Sequence, residues 1–267
     1  MSRFDEATLL TKLDENHYTF SPTEDWFQGR TLFGGVVVGA AVRALLETLS
    51  DKERVLRGVL VSFVAPVRDG SSEIKTHILR SGKGTTQIEA RVFQGEQVCT
   101  VVQGSFGVMR SNFIEVPFPK MAEVPPPEEV VQMPFMEGVA PAFTQHVDYR
   151  WTVPSFPYTG SEAKVQGWVR FREDHPVGFP EIVGMLDAWP PPILSVTDEF
   201  AHGSSLTWMI SFFGEAADYQ TDEHAWWFYD ADCTASMAGY ADTSAEFRNR
   251  EGKLLARTRQ LVVEFSK

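Results

Sequence analysis

The sequence predicts an α+β fold of two like units in tandem, and three observations carry that prediction. An apolar helical run is followed by four strand-like runs, the same order of elements returns in the second half, and a proline-rich stretch lies between them. In the first half, Val36, Val37, Ala40, Ala41, Ala44, Leu45 and Leu49 recur at helical spacing after Phe33-Gly34-Gly35, the pattern of a buried helix over 34–50. Strand patterns follow at 59–64, 73–79, 86–93 and 98–106. The turn signals Arg68-Asp69-Gly70, Ser81-Gly82-Lys83-Gly84 and Gln94-Gly95-Glu96 separate them, so we expect a four-strand antiparallel meander.

From 116 to 141 periodicity is lost and Pro125-Pro126-Pro127 stands among acidic residues, which reads as a linker. The expected organisation is a unit at 1–115, the linker at 116–141 and a second unit at 142–267. In the second unit, strand patterns at 145–151 and 164–171 precede a short helix at 180–189, halted by Pro190-Pro191-Pro192. Four more strands are expected at 204–213, 224–231, 236–247 and 254–265.

Two local matches support a duplication. Ser62-Phe63 followed by Arg68-Asp69 parallels Ser211-Phe212 followed by Asp218, and the run from Gly95 to Gln103 parallels that from Gly252 to Gln260. Either match alone has the strength of coincidence. Their agreement with the order of elements makes the case.

Composition bounds the function. The hydrophobic fraction of 43% and charged fraction of 22% are those of a folded globular chain. A net charge of -12 argues against a broad nucleic-acid or anionic-membrane surface, which needs clustered Lys and Arg. Cys99 and Cys233 have neither metal-pair spacing nor a disulfide framework, and no signal-peptide pattern or apolar run of about 20 residues is present. A cytoplasmic protein is the expectation.

The segment Gly29-Arg30-Thr31-Leu32-Phe33-Gly34-Gly35 leading into the first helix, the turn Arg80-Ser81-Gly82-Lys83-Gly84-Thr85-Thr86 and the strand Val102-Gln103-Gly104-Ser105-Phe106 together resemble the double-hotdog acyl-CoA thioesterase family, the TesB-like or thioesterase II-like enzymes. The resemblance covers nearly the whole chain. It implies a double hotdog, two fused units in which a curved antiparallel sheet wraps a helix, with acyl-CoA sites at the seam. The family's catalytic set is an Asp on the second helix, a Thr on the following strand and a Gln on the last strand. Asp187 of Gly184-Met185-Leu186-Asp187 and Gln260 of Thr258-Arg259-Gln260 match two of these. Ser205 falls where the family has Thr; Thr207, two residues on and on the same side of a regular strand, is the other candidate hydroxyl.

Thioester hydrolysis needs a water, a base and donors for the developing oxyanion. Asp187, desolvated on an apolar helix, would be the base, with Ser205 and Gln260 holding the water. Alone, each of these three is more simply a surface helix or strand residue. Gly34 and Gly35 would offer helix N-terminal N–H groups to the oxyanion; the plain alternative is close packing. Arg80 and Lys83, and Arg30, lie beside glycine turns and are candidates for the coenzyme A phosphates, although a solvated loop is the default for any one of them. Phe156, Phe179, Trp189, Trp208 and Phe228 would line an acyl tunnel or simply belong to the core.

Other readings fail on spacing. Ser81-Gly82-Lys83-Gly84-Thr85 lacks the phosphate-loop pattern, and Gln103-Gly104-Ser105-Phe106-Gly107 lacks the first Gly and the following helix of a nucleophile elbow. His17, His77, His146, His175, His202 and His224 are scattered, so no metal is expected, and no cofactor beyond the coenzyme A of the substrate. A hotdog hydratase would need a helix-borne His, which neither helix has. A non-catalytic acyl-CoA-binding protein is the alternative to the enzyme. Free outer sheet edges would favour a homodimer or higher homo-oligomer.

Overall fold

The computed structural model describes residues 3–111, 114–173, 176–220 and 225–265. His175, His224 and the expected start of a strand at 224 lie outside them. Among the described residues three α-helices, α1 (Phe4–Ala7), α2 (Gly34–Thr48) and α3 (Phe179–Asp187), are accompanied by fourteen strands. In the first half these are β1 (Thr11–Asp14), β2 (His17–Phe20), β3 (Phe27–Gln28), β4 (Thr31–Leu32), β5 (Val55–Phe63), β6 (Ser72–Ser81), β7 (Thr85–Gln94) and β8 (Gln97–Gly107). The second half contributes β9 (Val147–Trp151), β10 (Lys164–Phe171), β11 (His202–Phe212), β12 (Trp227–Met237), β13 (Tyr240–Asn249) and β14 (Leu254–Phe265).

Twelve strands form one antiparallel sheet in the order β1-β2-β6-β7-β8-β5-β11-β14-β13-β12-β10-β9. Each half is a sheet wrapped on its helix, and the halves join edge to edge through β5 and β11, a double hotdog. The expected meander is corrected on one point: β5 pairs with β8 and β11, not with β6. Loops 82–84 and 95–96 are short enough to force hairpins, whereas 64–71 is long enough to carry the chain across the sheet. A second correction concerns the β12–β13 hairpin, expected near 232–235 and found at Ala238-Gly239, both with positive φ. Ala238 stands where Asn or Asp commonly precedes the Gly of such a turn, so the usual two-residue signal is absent. The β1–β2 hairpin and the short pair β3–β4 were not expected at all.

The register of the join agrees with a duplication. Gly58 pairs with Ser211, Leu60 with Met209 and Ser62 with Thr207, so a pseudo-two-fold axis through Leu60 and Met209 equates Ser62 with Ser211, as the sequence match suggested. The same axis equates Leu56 with Ser205, and both strands carry a β-bulge there, between Leu56 and Gly58 and between Ser205 and Thr207. It equates Gly104, not Gln103, with Gln260, because Val59 pairs with Gly104 as Trp208 pairs with Gln260. The longer sequence match is therefore out of register by one residue, which in a strand exchanges the two faces.

Helices α2 and α3 pack antiparallel inside the two curved sheets. Val36, Val38, Val42 and Leu45 are fully buried, each contributing about 1.5–3 kcal/mol. Small residues set the distance between the helices: a Cβ on Gly35 would come within 3.1 Å of Gly184 Cα. The proline-rich segment runs over the outer face of the second sheet, where Met121, Val124 and Val130 pack on Trp168, Trp226 and Phe228, and Trp168 Nε1 donates to Pro125 O at 2.9 Å. The outer edges offer little for pairing: β1 is four residues long and exposed, and the β9 edge is bridged by Gln132 and Met133. No helix among the described residues is long and apolar enough to cross a membrane.

Candidate active site

Asp187 is the last residue of α3, and the antiparallel packing brings it against the first turn of α2. Burial pushes its carboxyl up to about 7, although hydrogen bonds from the Gln260 side chain and the Gly35 backbone N–H oppose the shift. Gly34 permits this approach: a Cβ there would lie 2.8 Å from Asp187 Oδ2. Gly35 thus gives its N–H to the carboxylate, while Gly34 opens onto the cavity beside it. The pair is not a two-donor oxyanion hole in this arrangement.

Gln260 lies on β14 with its side chain facing the helices. Its Nε2 donates to Ser205 Oγ at 2.6 Å and to Asp187 Oδ1 at 3.3 Å. Ser205 reaches this side only through the bulge. In a regular strand Ser205 and Thr207 would share a face, but the extra residue between them reverses the alternation. Thr207 is exposed on the outer face beside Ser62, which corrects the expectation that the two hydroxyls are interchangeable.

Asp187, Ser205, Gln260 and Gly34 line one cavity of about 480 Å³ at the seam of the two units. Its other wall comes from the first unit: Gln28 and Thr31 flanking the β3–β4 turn, Leu32, Val37, Thr100 and the stretch from Phe63 to Val67. These residues were not picked out from the sequence, since no motif marks a loop as a wall. Arg80 and Lys83 are not brought to the site. They lie at the β6–β7 turn, which Arg54 ties to the start of β5 through Gly82 O and Thr86 Oγ1, at 2.8 and 2.5 Å. The cavity adjoins the other end of β5, eight residues and roughly 26 Å away. The topology requires this: the link after β5 borders the cavity, and β6 then carries the chain to the opposite end. Arg30 is exposed in the β3–β4 turn, next in the chain to the lining residue Thr31.

Of the aromatics proposed for a tunnel, only Trp189 lines the cavity. Phe179 packs on Phe212 and Tyr219, Trp208 is core, and Phe228 faces Trp168 beneath the proline-rich segment. Phe156 stands behind Trp189, against Trp151.

The pseudo-symmetric position holds no second centre. On α2, which packs against α3, Val38 and Val42 are fully buried. Leu56 and Gly104 stand where the first site has Ser205 and Gln260. Gly104 is packed by Leu45 and Phe106, so the space is apolar core.

A carboxyl, an amide and a hydroxyl thus meet at the seam of a double hotdog, an arrangement suited to hydrolysis. Comparison with known proteins agrees. Residues 127–263 match the model of the acyl-CoA thioesterase C-terminal domain and 22–107 that of the N-terminal domain. The chain belongs to the acyl-CoA thioesterase family. No curated protein gives a significant sequence match. Among solved structures, a hotdog-fold protein of unknown function from Alicyclobacillus acidocaldarius superposes with a TM-score of 0.87 at 22% identity, over 99% of this chain and 98% of that one. The acyl-CoA thioesterase II TesB2 of Mycobacterium marinum gives 0.76 at 18%, covering 99% and 98%. The tesB protein of Mycobacterium avium subs paratuberculosis gives 0.78 at 17%, covering 98% of each. These likenesses show the fold; the family matches support a thioester hydrolase.

Proposed function

We propose that the protein hydrolyses acyl-CoA to free acid and coenzyme A by water attack, without a covalent intermediate. The observation that carries this is the convergence of Asp187, Gln260 and Ser205 on one cavity, with the Asp187 carboxyl held near neutrality. Ser205 and Gln260 position the water and Asp187 takes its proton. The hydroxide oxygen bonds to the thioester carbon, the C–S bond breaks, and Asp187 returns the proton to the departing thiolate. The oxyanion falls to the Gly34 N–H, one of the unpartnered donors of the first turn of α2. Arg30 meets the phosphates of the carrier.

Asp187→Asn tests this. Thiol release from acyl-CoA, followed with a thiol-reactive dye, is expected to fall by about 10²–10⁴-fold, while acyl-CoA still raises the melting temperature. Thermal stabilisation of the wild type without any thiol release would favour the non-catalytic acyl-CoA-binding reading. Homo-oligomer formation is part of the proposal too, with solution mass by light scattering as its test.

A further inference from the structure

Trp189 stands two residues beyond Asp187, at the turn that ends α3. One side of the indole lines the cavity. The other is packed into the layer between α3 and the second sheet, stacked on Tyr229 at 5.4 Å with 5° between the rings and edge-on to Tyr149 at 5.1 Å and Trp151 at 4.8 Å. Its tip reaches β10, where a Cβ on Gly167 would sit 2.8 Å from Trp189 Cη2. The ring therefore spans the whole gap from helix end to sheet. Its Nε1 is buried with no hydrogen-bond partner among the described residues, so packing alone holds it there.

We infer that Trp189 caps the acyl end of the cavity and restricts the enzyme to short acyl groups, the aromatic slot behind it being closed room for longer ones. The inference rests on the thioesterase reading and adds its substrate class. The direction follows from exposure: Gln28 on the first unit and His202 and Ser204 on the second are exposed lining residues, whereas Trp189 is buried, so the carrier arm enters from the exposed side and the acyl group points past Asp187 to the indole. The size follows from volume. About 480 Å³ lies in the lower part of the roughly 300–1,000 Å³ range of small-molecule sites, and the carrier arm takes a share of it. Tyr149, Trp151 and Tyr229 give the slot apolar walls suited to a hydrocarbon chain once the indole is gone.

The experiment measures kcat/KM for acetyl-, butanoyl-, octanoyl- and hexadecanoyl-CoA with the wild type, Trp189→Ala and Trp189→Phe, beside affinities for the matching non-hydrolysable S-alkyl-CoA thioethers. The wild type should lose about tenfold or more between butanoyl and octanoyl, and Trp189→Ala should raise the octanoyl-to-butanoyl ratio by about tenfold or more. Trp189→Phe should fall between. A ratio within one preparation is insensitive to the fraction folded, and if Trp189→Ala does not fold, Trp189→Phe and the wild-type profile decide. Equal wild-type use of hexadecanoyl and butanoyl thioesters, or a ratio unmoved by the substitutions, overturns the cap. Silence with every thioester instead sinks the hydrolase reading, and the cap is then judged on the same ratios in thioether affinity.

Discussion

Two opposing influences meet at the Asp187 carboxyl: burial favours its neutral form, while Gln260 and the Gly35 N–H favour the anion. Burial dominates and leaves a base titrating near 7. Catalysis uses the anion, so kcat/KM is expected to climb about tenfold per pH unit below 7 and level off above it, a profile that Asp187→Asn should lack. Stability moves the other way. The folded-state pKa is raised from 3.8, so between about pH 4 and 7 the native state holds the proton more tightly than the unfolded chain. The associated stability is fully present below 3.8 and lost as pH rises through 7. Asp187→Asn should therefore melt higher than the wild type at pH 8, with the gain vanishing near pH 4, as differential scanning calorimetry would show. Ser205→Ala is expected to lower kcat by about tenfold to a hundredfold, the worth of one hydrogen bond in the transition state. Thr207→Ala, on the outer face, should stay within about twofold. Reversed results would return the role to Thr207.

At the scale of elements, the site depends on a helix pair and a bulge. Gly34→Ala would drive a methyl to within 2.8 Å of Asp187 Oδ2. An Ala in the first turn is no burden to the helix itself, so turnover should drop by more than about tenfold while the melting temperature moves by only a few degrees. A large loss of stability with normal turnover per folded molecule would show that Gly34 serves packing alone. The bulge in β11 makes Ser205 a cavity residue. Strict alternation holds for the buried residues Trp208, Ile210 and Phe212 of that strand and breaks at the one place where an extra residue is inserted.

For the whole molecule, duplication supplied the frame and divergence left one centre. The axis through Leu60 and Met209 generates a second position in which buried Leu56 and Gly104 replace Ser205 and Gln260. Titration calorimetry of Asp187→Asn with acyl-CoA is accordingly expected to give one molecule bound per chain. A stoichiometry of two would contradict the apolar filling of that position.

The amino-acid pattern by itself gave the two tandem units, the helices α2 and α3 and most strands, and the resemblance singled out Asp187, Ser205 and Gln260, because periodicity and short family motifs are local properties. The turn at Ala238-Gly239 was missed because it lacks the common Asn-Gly or Asp-Gly pair. Only the tertiary structure decided that β5 crosses to β8, that Gln260 corresponds to Gly104, that Thr207 faces away, and that Arg80 and Lys83 lie at the far end of the sheet. Each of these depends on register or on which end of a strand a loop occupies, quantities set by pairing between segments distant in the chain. The same holds for the cavity, whose walls come from two units and whose floor exists only where α2 and α3 pack closely enough for a backbone N–H to meet a buried carboxylate.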